Sequence, residues 1–118
     1  KVSSKIFLVL AWLLLTCLVI QTFFAGMAVF GKSIHWQKHE TFVHIFEFLP
    51  LLMLTVTFIG RLPKSLKWQS MGLFILILIQ YFTAHVPGAG AVHPVIALIL
   101  FWQTSVVIRK AHHQTRAA

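Results

Sequence analysis

Aspartate and asparagine are missing altogether from the 118 residues, and Glu40 and Glu47 are the only carboxylic side chains. With so little acid, no plausible Ser–His–acid constellation can be assembled, and no Gly-rich phosphate loop is present. Soluble-type enzyme chemistry is therefore not expected. Cysteine is nearly absent too. Cys17 stands alone inside an apolar run, so it reads as a packing residue and no disulfide framework exists. Charged residues make up 10% of the chain, against roughly a quarter in soluble domains. That shortfall excludes an ordinary soluble fold.

What is abundant is apolar. Hydrophobic residues make up 58% of the chain, and they gather into four runs of spanning length, which takes about 20 residues of helix. The spans are expected at about Ile6–Phe30, Thr41–Gly60, Trp68–Val86 and His93–Ile108. The connectors "GKSIHWQKHE", "RLPKSLK" and "HVPGAGAVHP" are short, which makes neighbouring helices antiparallel. Strands of a membrane barrel would be about 10 residues long with alternating polarity, unlike these runs. The first run is much longer than a signal-peptide core of about 7–15 residues, so it is expected to stay as an uncleaved span. The expected fold is all-α: a four-helix transmembrane bundle, up-down-up-down, forming one integral membrane domain over residues 1–118.

Lys and Arg number 10 and the formal charge is +8. On a soluble chain that balance would suggest nucleic acid. Here the cations mark span rims, where they meet anionic headgroups of the lipid bilayer, and no nucleic-acid partner is expected. Lys1, Lys5, Arg61, Lys64, Lys67, Arg109, Lys110 and Arg116 fall on one side, and only Lys32 and Lys38 on the other. The positive-inside rule then puts both termini in the cytoplasm, across a bacterial cytoplasmic membrane, with the loop from His85 to Pro94 outside. Trp12, Trp36 and Trp68 lie near span ends, as interfacial aromatics do. The tail "AHHQTRAA" is polar and expected to fray, with His112 and His113 solvated. No internal repeat stands out: "FFAGMAVFG" and "HVPGAGAVHP" share small residues only.

Polar side chains inside spans are costly and tend to mark function. Counting about 1.5 Å per residue from the basic rim, Gln21 lies roughly 24 Å deep, His44 roughly 25 Å and His93 roughly 24 Å. On the same scale Glu47 comes near 21 Å, Gln80 near 20 Å and His85 near 27 Å, with His39 about one turn further out than His44. Residues of all four helices thus share one layer in the outer third of the bilayer. If Glu47 points inward, His44 lies roughly 60° to one side and His39 roughly 80° to the other. At helical spacing Cys17, Ala25 and Ala28 flank Gln21, all small; Gly72, Leu76 and Ala84 flank Gln80, and Ala97, Phe101 and Thr104 flank His93. Such flanks suit helix contact or a flat ligand.

Four functions fit this layer. The leading one is a b-type haem, held near the outer leaflet between spans two and four, which sit on a diagonal of the bundle. His93 and either His39 or His44 would be its axial ligands, with Glu47, Gln21 and Gln80 orienting them. Without C-x-x-C-H the haem would be non-covalent. Such a protein would transfer electrons or serve a redox membrane complex, with a quinone as one possible partner and a homo-oligomer as a possible state. The second is an outer-face transition-metal site drawing on His39, His44, His93 and His85, with His35 and Glu40 nearby. The third is a small transporter using Glu47. The fourth is an accessory subunit without cofactor, whose polar residues tie helices together. In that reading His85 caps span three, and His93 with Pro94 opens span four.

Several segments resemble one family when taken together: "QTFFAGMAVFG" (Gln21–Gly31), His39 opening span two, "GRLPKSL" (Gly60–Leu66), Gln80 late in span three and "HPVIAL" (His93–Leu98). The chain resembles a family of small bacterial four-helix membrane proteins catalogued as a domain of unknown function. The resemblance covers nearly the whole chain in order. It implies four spans and no assigned activity, and it maps two recurring histidines onto His39 and His93. Family members tend to carry a small residue where this chain has Val43-His44. Depth matching favours His44 as the partner of His93, and the resemblance favours His39.

Overall fold

The computed structural model describes residues 1–117. It is all-helical, and no strand occurs among the described residues. Helix α1 spans Val2–Phe30; a short 3-10 turn, Ser33–His35, leads into α2, Trp36–Phe46; α3 is Leu49–Ile59, α4 Lys64–His85 and α5 Val92–Ala117. Helices α2 and α3 together make one span-length rod, so four antiparallel rods form the bundle. Helix α1, the rod Ser33–Ile59 and α5 are each long and apolar enough to cross a membrane. Helix α4 carries Lys67, Gln69, Gln80 and His85 towards its ends, and it packs between α3 and α5. The molecule measures 47 × 23 × 19 Å, which matches a bilayer of about 40–45 Å including headgroups.

Helix α1 packs against α5 on one side and against α2 and α3 on the other, and α4 closes the ring. The second rod and α5 therefore face each other across a diagonal. Their contact surfaces read directly from heptad-like stripes. On α1 the inner line is Ser4, Phe7, Ala11, Leu14 and Leu18, and the same spacing continues through Gln21 and Ala25 to Ala28. On α4 it is Leu66, Ser70, Leu73 and Ile77, continuing to Gln80. On α5 it is Leu100, Thr104, Val107 and Ala111, reached from His93 through Ala97. Buried hydroxyls on these stripes donate to their own helix: Ser70 to the Leu66 carbonyl at 2.8 Å and Thr104 to Leu100 at 2.7 Å. These bonds satisfy both hydroxyls in an interior that offers no water, whereas Ser4 Oγ on the α1 stripe is buried without a partner. Large apolar side chains such as Phe23, Phe58, Phe82, Leu98 and Trp102 instead point outward, as a lipid-facing surface requires and a soluble surface rarely shows.

The second span differs from the expected continuous helix over Thr41–Gly60. It begins earlier, at Trp36, and breaks at Glu47 and Phe48. Pro50 is the cause. It has no N–H for the Phe46 carbonyl, and its ring crowds that carbonyl, so α2 stops at Phe46 and α3 restarts with proline in its first turn.

Helix α3 ends in a Schellman motif: Leu62 N–H bonds to the Thr57 carbonyl at 3.0 Å and Arg61 N–H to Phe58 at 3.4 Å. The left-handed position is held by Arg61, at φ 51°. Gly60 beside it lies so close to α1 that a Cβ there would collide with the Ser3 side chain. The α1 start, the α3–α4 turn and the end of α5 thus meet at one end. Pro63, Ser65 and Leu66 line a shallow groove there with Arg109, Lys110 and His113. This gathers the cations of the termini and of the second connector at a common basic end. The tail expected to fray is helical through Ala117, because α5 continues its inner stripe to Ala111, which is buried against the other helices.

Candidate functional site

At the opposite end, two histidines meet. The rings of His39 and His93 stand 6.2 Å apart, centre to centre, with their planes at 61°. His39 belongs to the inner stripe of the second rod, which runs back from Thr57 and Met53 through Leu49 and Phe46 to Phe42 and His39. His93 heads the inner stripe of α5. The diagonal arrangement of the two rods brings them together, ring edge towards ring.

Each histidine is braced by a glutamine from the neighbouring helix. Gln21 on α1 donates its amide to the His39 carbonyl at 2.8 Å, and His39 Nδ1–H donates back to the Gln21 carbonyl at 2.9 Å. A carbonyl can only accept, so the proton is on Nδ1 and Nε2 keeps its lone pair. Gln80 on α4 donates to the His93 carbonyl at 2.8 Å. Thr83, buried on α4, lies 3.0 Å from both oxygens of Gln80 and 2.8 Å from His93 Nδ1. With the single hydroxyl hydrogen of Thr83 going to Gln80, His93 Nδ1–H donates to Thr83 and its Nε2 is free as well. The two hairpins, α1–α2 and α4–α5, thus each build the same Gln–His unit. The sequence shows no repeat because the spacing differs, Gln21 to His39 against Gln80 to His93, and the residues between are unrelated. Thr83 was legible only as a threonine one turn after Gln80. Trp36 closes the outer edge of His39, ring to ring at 5.6 Å and 84°.

The other polar residues gather elsewhere. Glu47 does not point into the bundle as the facing argument assumed. Its backbone stays helical, with its N–H on the Val43 carbonyl at 2.8 Å, and its side chain reaches α4, where Tyr81 O–H donates to Glu47 Oε2 at 2.9 Å. His44 Nδ1 lies 3.0 Å from the same oxygen. The imidazole of His44 stacks on Tyr81 at 5.5 Å, and its side chain is 65% exposed. His44 therefore does not pair with His93. The depth count assumed one straight helix from Arg61, but facing decides the matter, since a five-residue offset puts His44 roughly 140° around the helix from His39. Tyr81 is a second residue that sequence reasoning passed over; its hydroxyl in an apolar run was the available signal. His85, at the end of α4, donates Nδ1–H to the Tyr81 carbonyl at 2.7 Å, within the last turns of its own helix. His35 lies in the 3-10 turn with Nδ1 buried and unpartnered, and Glu40 is exposed on α2.

This geometry can be tested against a bound metal. Two imidazoles sharing a metal in line, at about 2.0–2.1 Å per metal–nitrogen bond, stand roughly 6.3 Å apart between ring centres. The observed 6.2 Å is compatible with that spacing, and equally with an edge-to-face ring contact, whose centroids stand about 4.5–7 Å apart. The Nδ1–H bonds to a carbonyl and a hydroxyl are the outer contacts that fix metal-binding histidines. Gln21 Oε1, beside His39, is buried with no partner, an acceptor left for a further group. Among the described residues no three His, Cys, Asp or Glu side chains converge on one point. His39, His44, His85 and His93 thus do not form a closed cage of the zinc type. The donor set fits a centre that needs only two protein ligands.

No curated protein and no solved structure matches the chain. One family does: its sequence model matches residues 21–89, which include Gln21, His39, Gln80 and Thr83. That match takes in more than half of the chain, so the protein belongs to DUF6220, a family of unknown function.

Proposed function

We propose that the protein is a multi-pass component of a bacterial cytoplasmic membrane that holds a b-type haem between His39 and His93 and takes part in electron transfer, alone or within a redox complex. The observation that carries this reading is the facing pair itself, 6.2 Å apart with both Nδ1 atoms occupied. His39 and His93 would be the two residues that hold such a haem. When bound, it supplies one-electron chemistry.

The chain's residues do the rest. The Gln21 carbonyl and the Thr83 hydroxyl hold the two Nδ1 atoms, which leaves each Nε2 free to serve as the ligand. Gln80 fixes the first turn of α5. Lys32 and Lys38 lie at the same end and would offer positive charge to the acidic groups of a haem bound there. With both termini cytoplasmic, as the excess of Lys and Arg at the other end supports, the pair lies near the outer leaflet.

The test is the absorption spectrum of the full chain purified from haem-replete cells. The expected result is a Soret band that shifts on dithionite reduction, with about one haem per chain by extraction. A colourless, haem-free preparation overturns the proposal.

A further inference from the structure

The Glu47–Tyr81–His44 cluster lies outside the histidine pair and shares no residue with it. It is set in the hydrocarbon region: Glu47 lies roughly 21 Å from Arg61 at about 1.5 Å per residue. A carboxylate at such depth is costly unless it is satisfied or used. It is only half satisfied. Oε2 takes the Tyr81 hydroxyl at 2.9 Å and the His44 Nδ1–H at 3.0 Å, and Nδ1–H also reaches the Tyr81 oxygen at 3.2 Å. Among the described residues neither Glu47 Oε1 nor His44 Nε2 has a hydrogen-bond partner.

With Glu47 as carboxylate and His44 as neutral imidazole, those two free atoms are both acceptors. With Nδ1–H and the tyrosine hydrogen already committed, the cluster has no donor left to offer. It calls for a ligand that brings hydroxyl hydrogens. His44 opens outward, so that ligand arrives from the lipid rather than from water. The stacked imidazole and phenol, 5.5 Å apart and 27° from parallel, present an aromatic surface. Phe48, one turn beyond His44, and Leu78, one turn before Tyr81, are exposed and apolar. A flat ring with hydroxyl donors that lives in the bilayer meets all of these conditions.

We infer that the Glu47–Tyr81–His44 cluster binds the hydroxylated ring of a membrane-soluble quinol. Because the free atoms are acceptors, the site discriminates by redox state. A quinol offers two donors, whereas the matching quinone offers only carbonyl acceptors, which meet the cluster lone pair to lone pair.

The test uses the full chain in detergent micelles and equilibrium dialysis with a short-chain quinol held reduced by dithionite. The matching quinone, without dithionite, and the quinol's dimethyl ether are run in parallel. The ether enters micelles at least as readily but has no donor, so it isolates the hydrogen bonds. Saturable quinol binding is expected, at least tenfold tighter than either comparator, and Glu47→Gln is expected to weaken it at least tenfold. Equal retention of quinol and ether, no saturation, or an unchanged affinity in folded Glu47→Gln overturns the inference. If Glu47→Gln does not fold, the comparison of the three ligands on the unaltered chain decides. The Soret band of the same samples reports separately on the histidine pair, so either reading can fail without the other.

Discussion

His39 owes its place to a stripe of inward-facing residues, and that stripe runs through mostly apolar positions. Phe46, Leu49, Met53 and Thr57 fix which side of the second rod faces the bundle, and His39 lies on that side while His44 does not. The polar residues alone misled, because Glu47 is satisfied sideways by Tyr81 and need not face inward. The braces were partly legible: Gln21 and Gln80 stand out in apolar runs, but their targets are backbone carbonyls, which no side-chain pattern reveals. If the braces act as outer contacts, Thr83→Val, which keeps shape and removes the hydroxyl, should weaken haem retention about 10–100-fold. Titration of the haem-depleted protein checks this. Gln21→Leu removes a bond worth about 0.6 kcal/mol, up to 2, within a membrane interior, and should lower the thermal midpoint in detergent while Thr16→Val, exposed on the same helix, does not.

Among the elements, the second rod is the one whose form departs from a plain span. Its break follows from one proline and one orphaned carbonyl. Pro50→Ala gives the Phe46 carbonyl a partner and joins α2 to α3, which moves the His39 end relative to α5. The expected outcome is a folded helical protein, by circular dichroism, with reduced haem occupancy. The α3–α4 turn carries opposite expectations at adjacent positions. Gly60→Ala forces a clash with Ser3 on α1 and should destabilise by about 1–3 kcal/mol, as overpacking does. Arg61→Gly relieves a left-handed residue, worth at most about 1 kcal/mol, and should raise the thermal midpoint slightly. The boundaries of α1 and α4 and the start of α5 were readable to within a few residues, because length and apolar run fix them. The helical tail was not, because its burial comes from Ala111, too small to register as apolar patterning.

For the molecule as a whole, composition and connector length determine an antiparallel helical bundle, and its length fits a bilayer. The gathering of Lys and Arg at one end leads to an orientation that can be measured. A cysteine placed at Ala89, in the exposed α4–α5 loop, should react with an impermeant maleimide on intact cells, whereas one at Lys64 should react only after lysis, both in a Cys17→Ser background. The likeness of the two hairpins emerges only at this scale, since each Gln–His unit is assembled by packing and not by a repeated motif.

The central claim is that His39 and His93 share one haem iron, and it is tested most directly by reduced-minus-oxidised spectra of four proteins side by side: the unaltered chain, His39→Ala, His93→Ala and His44→Ala. The account predicts a six-coordinate b-type spectrum in the unaltered chain and in His44→Ala, and its loss or conversion to a five-coordinate form in folded His39→Ala and His93→Ala. A haem-free unaltered chain, or a spectrum that survives both His39→Ala and His93→Ala, would contradict it.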